Sequence, residues 1–120
     1  MKIMLVDDNS EIRDIIKQLL MTSNVEFYEC TNGTEAIDSY GKIFPDWVLM
    51  DIQMQGIDGL QAARAIKVTY PEAKILIVTN YNDSEFREEA KLVGTDGYIL
   101  KENLVELRSV LFPRLRNGKN

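Results

Sequence analysis

At 120 residues, with 45% hydrophobic and 28% charged side chains, the chain is large enough for one core and too apolar for disorder. It has no histidine and a single cysteine, Cys30, which excludes imidazole and thiolate metal sites and Ser-His or Cys-His nucleophile pairs. A net charge of -5 argues against direct nucleic-acid binding by the body of the domain, and no apolar run approaches the roughly 20 residues of a membrane span.

The chain opens on the apolar run Lys2 to Asp7, too short and too quickly acidic for a signal peptide. With the lone cysteine, this predicts a cytoplasmic protein. Glu11 to Met21 carries Ile12, Ile15, Ile16, Leu19 and Leu20, the spacing of an inward helix face. Val25 to Cys30 alternates like a strand, with Val25 and Phe27 inward. Asn32 and Glu35 form a helix-start pattern leading through Ala36, Ile37 and Tyr40 to a stop at Gly41.

Trp47 to Met50 is the next apolar run and ends at Asp51. A loop from Gln53 to Gly59 precedes a helix carrying Leu60, Ala63 and Ile66, which Pro71 ends. Lys74 to Val78, nearly continuous in branched residues, is the clearest strand and gives way to Thr79. Asn82 with Glu85 predicts the cap of a polar helix whose inner stripe is Phe86, Ala90 and Val93. Gly97 to Leu100 is a short strand ending at Lys101. Asn103 with Glu106 predicts the cap of a last helix, with Leu104, Leu107 and Leu111 inward, until Pro113 interrupts it. Trp47 and Phe86 read as packing. Residues 113–120, with Arg114, Arg116 and Lys119, read as a basic tail or linker start beyond a domain of residues 1–112.

Five strand–helix units in strict alternation predict an α/β fold, a doubly wound five-stranded parallel sheet. The flavodoxin-like (βα)5 strand order 2-1-3-4-5 is the common solution at this size. Ligands of such sheets bind beyond the carboxyl ends of the strands. The first strand exits at Asp7 and Asp8, the third at Asp51, the fourth at Thr79 and the fifth at Lys101.

Carboxylates gathered at one edge repel, at a cost on the order of 4 kcal/mol per pair at close range. The fold must therefore raise their pKa values or hold a cation among them. Oxygen donors alone point to a hard ion, best Mg2+, with Mn2+ as a substitute. A carboxylate can also act as the nucleophile that forms an aspartyl-phosphate. Asp51, on the middle strand, is better placed for that role, and Asp7 and Asp8 for holding metal. The Thr79 hydroxyl and the Lys101 ammonium suit phosphoryl oxygens. Taken singly, Asp7 and Asp8 could cap the first helix, and Thr79 and Lys101 are ordinary strand-end residues.

LVDDN after the first strand, LMDIQM with IDG beyond it, IVTN, and GYILK occur in that order, each at a strand exit. Together they resemble the receiver domains of bacterial two-component response regulators, from Lys2 to about Leu111. The spacing of TNYNDSEF and GTDGYILKEN is most similar to receivers of regulators with a helix-turn-helix output domain. The resemblance implies that Asp51 is the phosphoacceptor, served by a sensor histidine kinase or phosphotransfer protein. It implies that Asp7, Asp8 and Asp51, with the Gln53 main-chain carbonyl, organise Mg2+, and that Thr79 and Lys101 contact the phosphoryl group. Tyr98 is then the switch aromatic, resetting the face of the fourth helix, fifth strand and fifth helix for a partner or a homodimer.

Such a domain is a signalling switch that catalyses only its own phosphorylation and dephosphorylation. Gln53 and Tyr81 occupy positions that in this family set phosphoryl hydrolysis, and a bulky Tyr81 implies a slower rate. The sequence departs from the family at Gln55 and Glu102, where proline is usual. A dehalogenase-like phosphatase would instead carry D-x-D at its first strand, and a flavodoxin-like cofactor binder a Ser-, Thr- or Gly-rich first loop. DDNSE satisfies neither. A receiver kept only for docking would not need an intact acidic site.

Overall fold

The computed structural model of the chain describes residues 1–22 and 24–113. Strands β1 (Lys2–Val6), β2 (Glu26–Cys30), β3 (Trp47–Met50), β4 (Ile75–Thr79) and β5 (Gly97–Leu100) pair in parallel in the order β2-β1-β3-β4-β5. Helices α1 (Ser10–Leu20), α2 (Gly33–Ile43), α3 (Gly59–Thr69), α4 (Ser84–Val93) and α5 (Leu107–Leu111) connect and follow them. This is the doubly wound, flavodoxin-like order expected.

The central strands read as unbroken apolar runs because helices cover both sheet faces. Side chains alternate across the sheet. Ile3, Leu5, Leu49, Leu76 and Val78 meet Ile16 and Leu20 of α1 and Leu107 and Leu111 of α5. Met4, Val6, Val48, Met50, Ile75 and Ile77 meet Ala36 and Tyr40 of α2, Leu60, Ala63 and Ile66 of α3, and Ala90 of α4. Each such aliphatic side chain stabilises the fold by roughly 1.5–3 kcal/mol through burial alone. Buried Cys30 belongs to this second layer, and burial pushes its thiol up to about 11, so it packs rather than reacts.

Four local expectations need correction. Ile15 is 45% exposed, because the row Ile12, Ile16 and Leu20 faces the sheet and Ile15 is turned about 100° from Ile16. Gly41 does not stop α2, which runs to Ile43 and closes on Phe44 in the left-handed region at φ 51°. Gly41 instead admits Tyr70, whose hydroxyl a Cβ would strike. The N-cap of α4 is Asp83, without a side-chain cap bond, because Asn82 Oδ1 is taken by Arg87 Nε at 2.8 Å. Asn103 caps nothing: residues Lys101–Glu106 form a 3₁₀ turn in which Asn103 is non-helical (φ -121°, ψ 37°), and α5 starts only at Leu107. The tighter turn suits a chain that must leave β5 and reverse onto α1 at once. Leu104, Leu107 and Leu111 are buried as expected.

Arg114, Arg116 and Lys119 of the basic tail lie outside the described residues. Among the described residues no helix is long and apolar enough to cross a membrane.

Candidate functional site

Strand register assembles the site. Val6 and Met50 are partners across β1 and β3, so the next residues, Asp7 and Asp51, leave the sheet side by side. Asp51 N–H donates to the Val6 carbonyl at 2.9 Å, and Asp7 N–H to the Cys30 carbonyl at 3.1 Å. On the other flank, Thr79 pairs with Leu100, and Lys101 follows immediately. All four residues therefore stand on the carboxyl edge of the sheet, beside the reversal of strand order between β1 and β3.

The first helix does not consume the carboxylates. Its N-cap is Asn9, whose Oδ1 accepts from Glu11 N–H at 2.9 Å and Ile12 N–H at 3.2 Å. Asp7 Oδ1 accepts from Asn9 N–H at 2.9 Å, which fixes its carboxylate at the helix mouth. Asp8 stays exposed. The reading of Asp7 and Asp8 as caps therefore fails.

Carboxylate oxygens of Asp7, Asp8 and Asp51 lie within 4.8 Å of one another. Asp7 is 4% and Asp51 6% exposed, so two of the three charges are held away from water. The Lys101 ammonium reaches both, at 2.8 Å from Asp7 Oδ2 and 3.3 Å from Asp51 Oδ2. Asp51 Oδ1 accepts from Ile52 N–H at 2.9 Å. Burial and the neighbouring Asp7 charge push the Asp51 carboxyl up to about 6, against the opposing pull of Lys101 and the Ile52 amide. Burial lowers the Lys101 ammonium, but its bond to Asp7 and the charges of Asp51 and Asp7 outweigh this and leave it above its ordinary value. With Glu102 following it, Lys101 stands in the site.

Three carboxylates and one ammonium sum to two negative charges, the amount one divalent cation cancels. Clustered oxygen donors without nitrogen or sulfur fit Mg2+ or Mn2+. The residues present therefore suit a hard divalent ion, with Asp7, Asp8 and Asp51 as its side-chain holders.

The second tier is set beside this cluster. Thr79 is fully buried, and its Oγ1 accepts from Tyr81 N–H at 3.2 Å, which leaves the hydroxyl proton to donate. It makes no hydrogen bond to Asp51. Gln53 is exposed, and its side chain accepts from the Tyr81 hydroxyl, so the residues two beyond Asp51 and Thr79 touch. Tyr98 does not reach the acidic cluster. Its half-buried ring directs the hydroxyl to the Tyr81 carbonyl at 2.6 Å.

Two positioning residues escaped the sequence. A Cβ on Gly59 would overlap the Asp51 carbonyl oxygen, so α3 can press its first turn against the Asp51 backbone only with glycine there. The same turn is fastened by Gly59 N–H to the Ile52 carbonyl at 2.7 Å and by a reciprocal Asp58–Gln61 capping box. Asn9 is the other; Asn before an apolar helical stripe is a cap signal that was available.

Residues 3–111 match the response regulator receiver domain family. The chemotaxis protein CheY of Halobacterium salinarum is 35% identical over 100 residues, covering 83% of this chain and 83% of that protein. The response regulator protein VraR of Staphylococcus aureus is 36% identical over 102 residues, covering 83% of this chain but only 49% of VraR. A LuxR-family two-component response regulator from Aurantimonas sp. SI85-9A1 superimposes with a TM-score of 0.85 at 32% identity, over 97% of this chain and 85% of that one.

Proposed function

The chain belongs to the response regulator receiver domain family, and we propose that its Asp51 carboxylate accepts a phosphoryl group from a phosphohistidine donor. The observation that carries this is the convergence of Asp7, Asp8, Asp51 and Lys101 at one sheet edge, with Asp51 on the middle strand and buried.

A carboxylate oxygen of Asp51 attacks phosphorus as the phosphorus–nitrogen bond to the donor imidazole breaks, and the bonding pair returns to that nitrogen. Asp7, Asp8, Asp51 and the Gln53 main-chain carbonyl are the groups that would hold Mg2+ or Mn2+, which when bound neutralises charge on the phosphoryl oxygens. Lys101, already on Asp51, pairs with one phosphoryl oxygen, and the Thr79 hydroxyl donates to another. Water later attacks phosphorus as the bond from phosphorus to the Asp51 oxygen breaks, which releases inorganic phosphate and restores the carboxylate. Tyr81, held over Gln53 by its hydroxyl, crowds that water and slows the step.

Receiver domains are signalling switches that take phosphoryl groups from histidine kinases. For this chain the donor is a sensor histidine kinase or a phosphotransfer protein, and its chemistry is confined to its own phosphorylation and dephosphorylation. The aspartyl-phosphate carries about two negative charges and draws Thr79 and Lys101 toward it. Movement of Thr79 opens space into which Tyr98 can turn, resetting the face of α4, β5 and α5 for a partner or a second copy. The reading places this receiver in the cytoplasm, over residues 1–112, with residues 113–120 as a tail or linker start.

Acetyl phosphate with Mg2+ tests the proposal. Intact mass should show one added phosphoryl group on the wild type and none on Asp51→Asn. Equal labelling of both proteins would overturn it.

A further inference from the structure

Four groups hold Asp7, and one of them comes from outside the acidic edge. The Asp7 N–H donates to the Cys30 carbonyl at 3.1 Å, its Oδ1 accepts from Asn9 N–H at 2.9 Å, and its Oδ2 meets the Lys101 ammonium at 2.8 Å. The Asp7 carbonyl lies one residue past β1, and among the described residues no main-chain N–H bonds it. Arg13 supplies the donor instead: its Nη1 reaches back from α1 to that carbonyl at 2.5 Å. Helical side chains lean toward the helix N-terminus, which carries this one over the entry of α1. The Nε of the same guanidinium donates to Glu29 Oε1 of β2 at 2.7 Å, and the Arg13 side chain is only 13% exposed.

We infer that Arg13 is a positioning residue for the metal-holding edge: by bonding the Asp7 carbonyl it fixes the peptide that links Asp7 to Asp8, and with it the directions of both carboxylates. The inference rests on the reading of Asp7 and Asp8 as metal holders. A planar peptide held at its oxygen turns little about either flanking bond, so the two side chains leave it at set angles. Groups that orient ligands from behind tune metal affinity without touching the ion.

Two comparisons separate this role from others. Lys17, one helical turn beyond Arg13, bonds Glu29 as well, at 2.8 Å from Oε2, but its partners among the described residues are Glu29 and Asp14 alone. Lys17 therefore braces α1 against β2 without reaching the acidic edge. Charge gives the second comparison. Removing a cation near clustered carboxylates by itself favours a divalent ion, whereas loss of positioning disfavours it. The two effects have opposite signs.

Calorimetric titration of the full chain with Mg2+ tests the inference. Arg13→Gln should bind the ion about tenfold more weakly than wild type, the lower end of what orienting groups around a metal contribute. Arg13→Lys keeps the charge, but one nitrogen does not span the Asp7 carbonyl and Glu29 as the planar fork does. It should be about threefold weaker, and it carries the test should Arg13→Gln prove too unstable to titrate. Lys17→Gln should leave Mg2+ affinity unchanged, although it breaks an ion pair to the same Glu29. Unchanged or raised affinity in the Arg13 variants, or an equal loss in Lys17→Gln, overturns this role for Arg13 alone. A wild type that takes up no Mg2+ overturns the metal-holding reading, and the inference with it.

Discussion

Lys101 stands closer to Asp7 than to Asp51, with its ammonium 2.8 Å from Asp7 Oδ2 and 3.3 Å from Asp51 Oδ2. One cation therefore serves two buried carboxylates. It stands nearer to Asp7, a proposed metal holder, than to Asp51, the proposed acceptor, and it is within reach of any group added to Asp51.

Removing that cation leaves two buried anions facing each other. Lys101→Met should lower stability by about 3 kcal/mol at neutral pH in magnesium-free buffer, the usual cost of breaking a buried pair. Millimolar Mg2+ should return much of the loss. Urea unfolding with and without the ion measures both quantities, and an unchanged midpoint would show that Lys101 neutralises little.

The pH dependence of stability follows from Asp51. Its folded-state carboxyl titrates near 6, above the ordinary 3.8, so the folded protein binds more protons than the unfolded one between these values. Stability in magnesium-free buffer should therefore rise as pH falls from 7 through about 6 toward 4, by roughly 2 to 3 kcal/mol from this group. Glu29, held below the usual carboxylate range by hydrogen bonds from Lys17 and Arg13, acts in the opposite sense only below its ordinary 4.5. Asp51→Asn should be more stable than wild type at pH 7 and lose the slope. Thermal unfolding across this window decides the sign.

Gly59 sets the position of the Asp51 backbone. Gly59→Ala should cost about 3 kcal/mol or more, because the new methyl meets a main-chain carbonyl that cannot rotate away. It should also weaken Mg2+ binding by displacing Asp51. Gly56, in the left-handed region at φ 84° but with open space around it, should cost only about 1 kcal/mol as alanine and leave magnesium binding intact. Paired urea and magnesium titrations separate the two effects.

Asn9 caps α1, and the adjacent Asp8 is a proposed metal holder. Asn9→Ala should cost about 1 kcal/mol of stability with little change in magnesium affinity. Asp8→Asn should do the reverse, since its exposed carboxylate makes no cap and adds to the repulsion. Calorimetric magnesium titration of both variants would expose a swapped assignment.

These residues also show what a single sequence reveals. Asp7, Asp51, Thr79 and Lys101 were legible because each ends an apolar run, and parallel pairing puts all run ends on one edge. Alternation gave the parallel sheet but not its strand order, which was expected as the common solution at this size and is the order found. The Asn-x-x-Glu pattern succeeded at Asn32, whose side chain does accept from Glu35 N–H at 2.8 Å. It failed at Asn82 and Asn103. Arg87 competes for the first side chain, and the second sits in a 3₁₀ turn. Ile15 was misplaced because an apolar stripe wider than the contact leaves one flank in water. Gly59 and Gly41 depend on what another element brings near, and no local pattern encodes such an approach.

Borohydride reduction of the acetyl-phosphate-treated protein, followed by peptide mass mapping, locates the phosphorylated carboxylate directly, since reduction converts an aspartyl-phosphate to homoserine. The expected result is homoserine at position 51 alone, formed only when Mg2+ was present during labelling. Homoserine at position 7 or 8, or a label that resists reduction because it sits on a hydroxyl, would contradict the assignment of Asp51 as the phosphoryl acceptor.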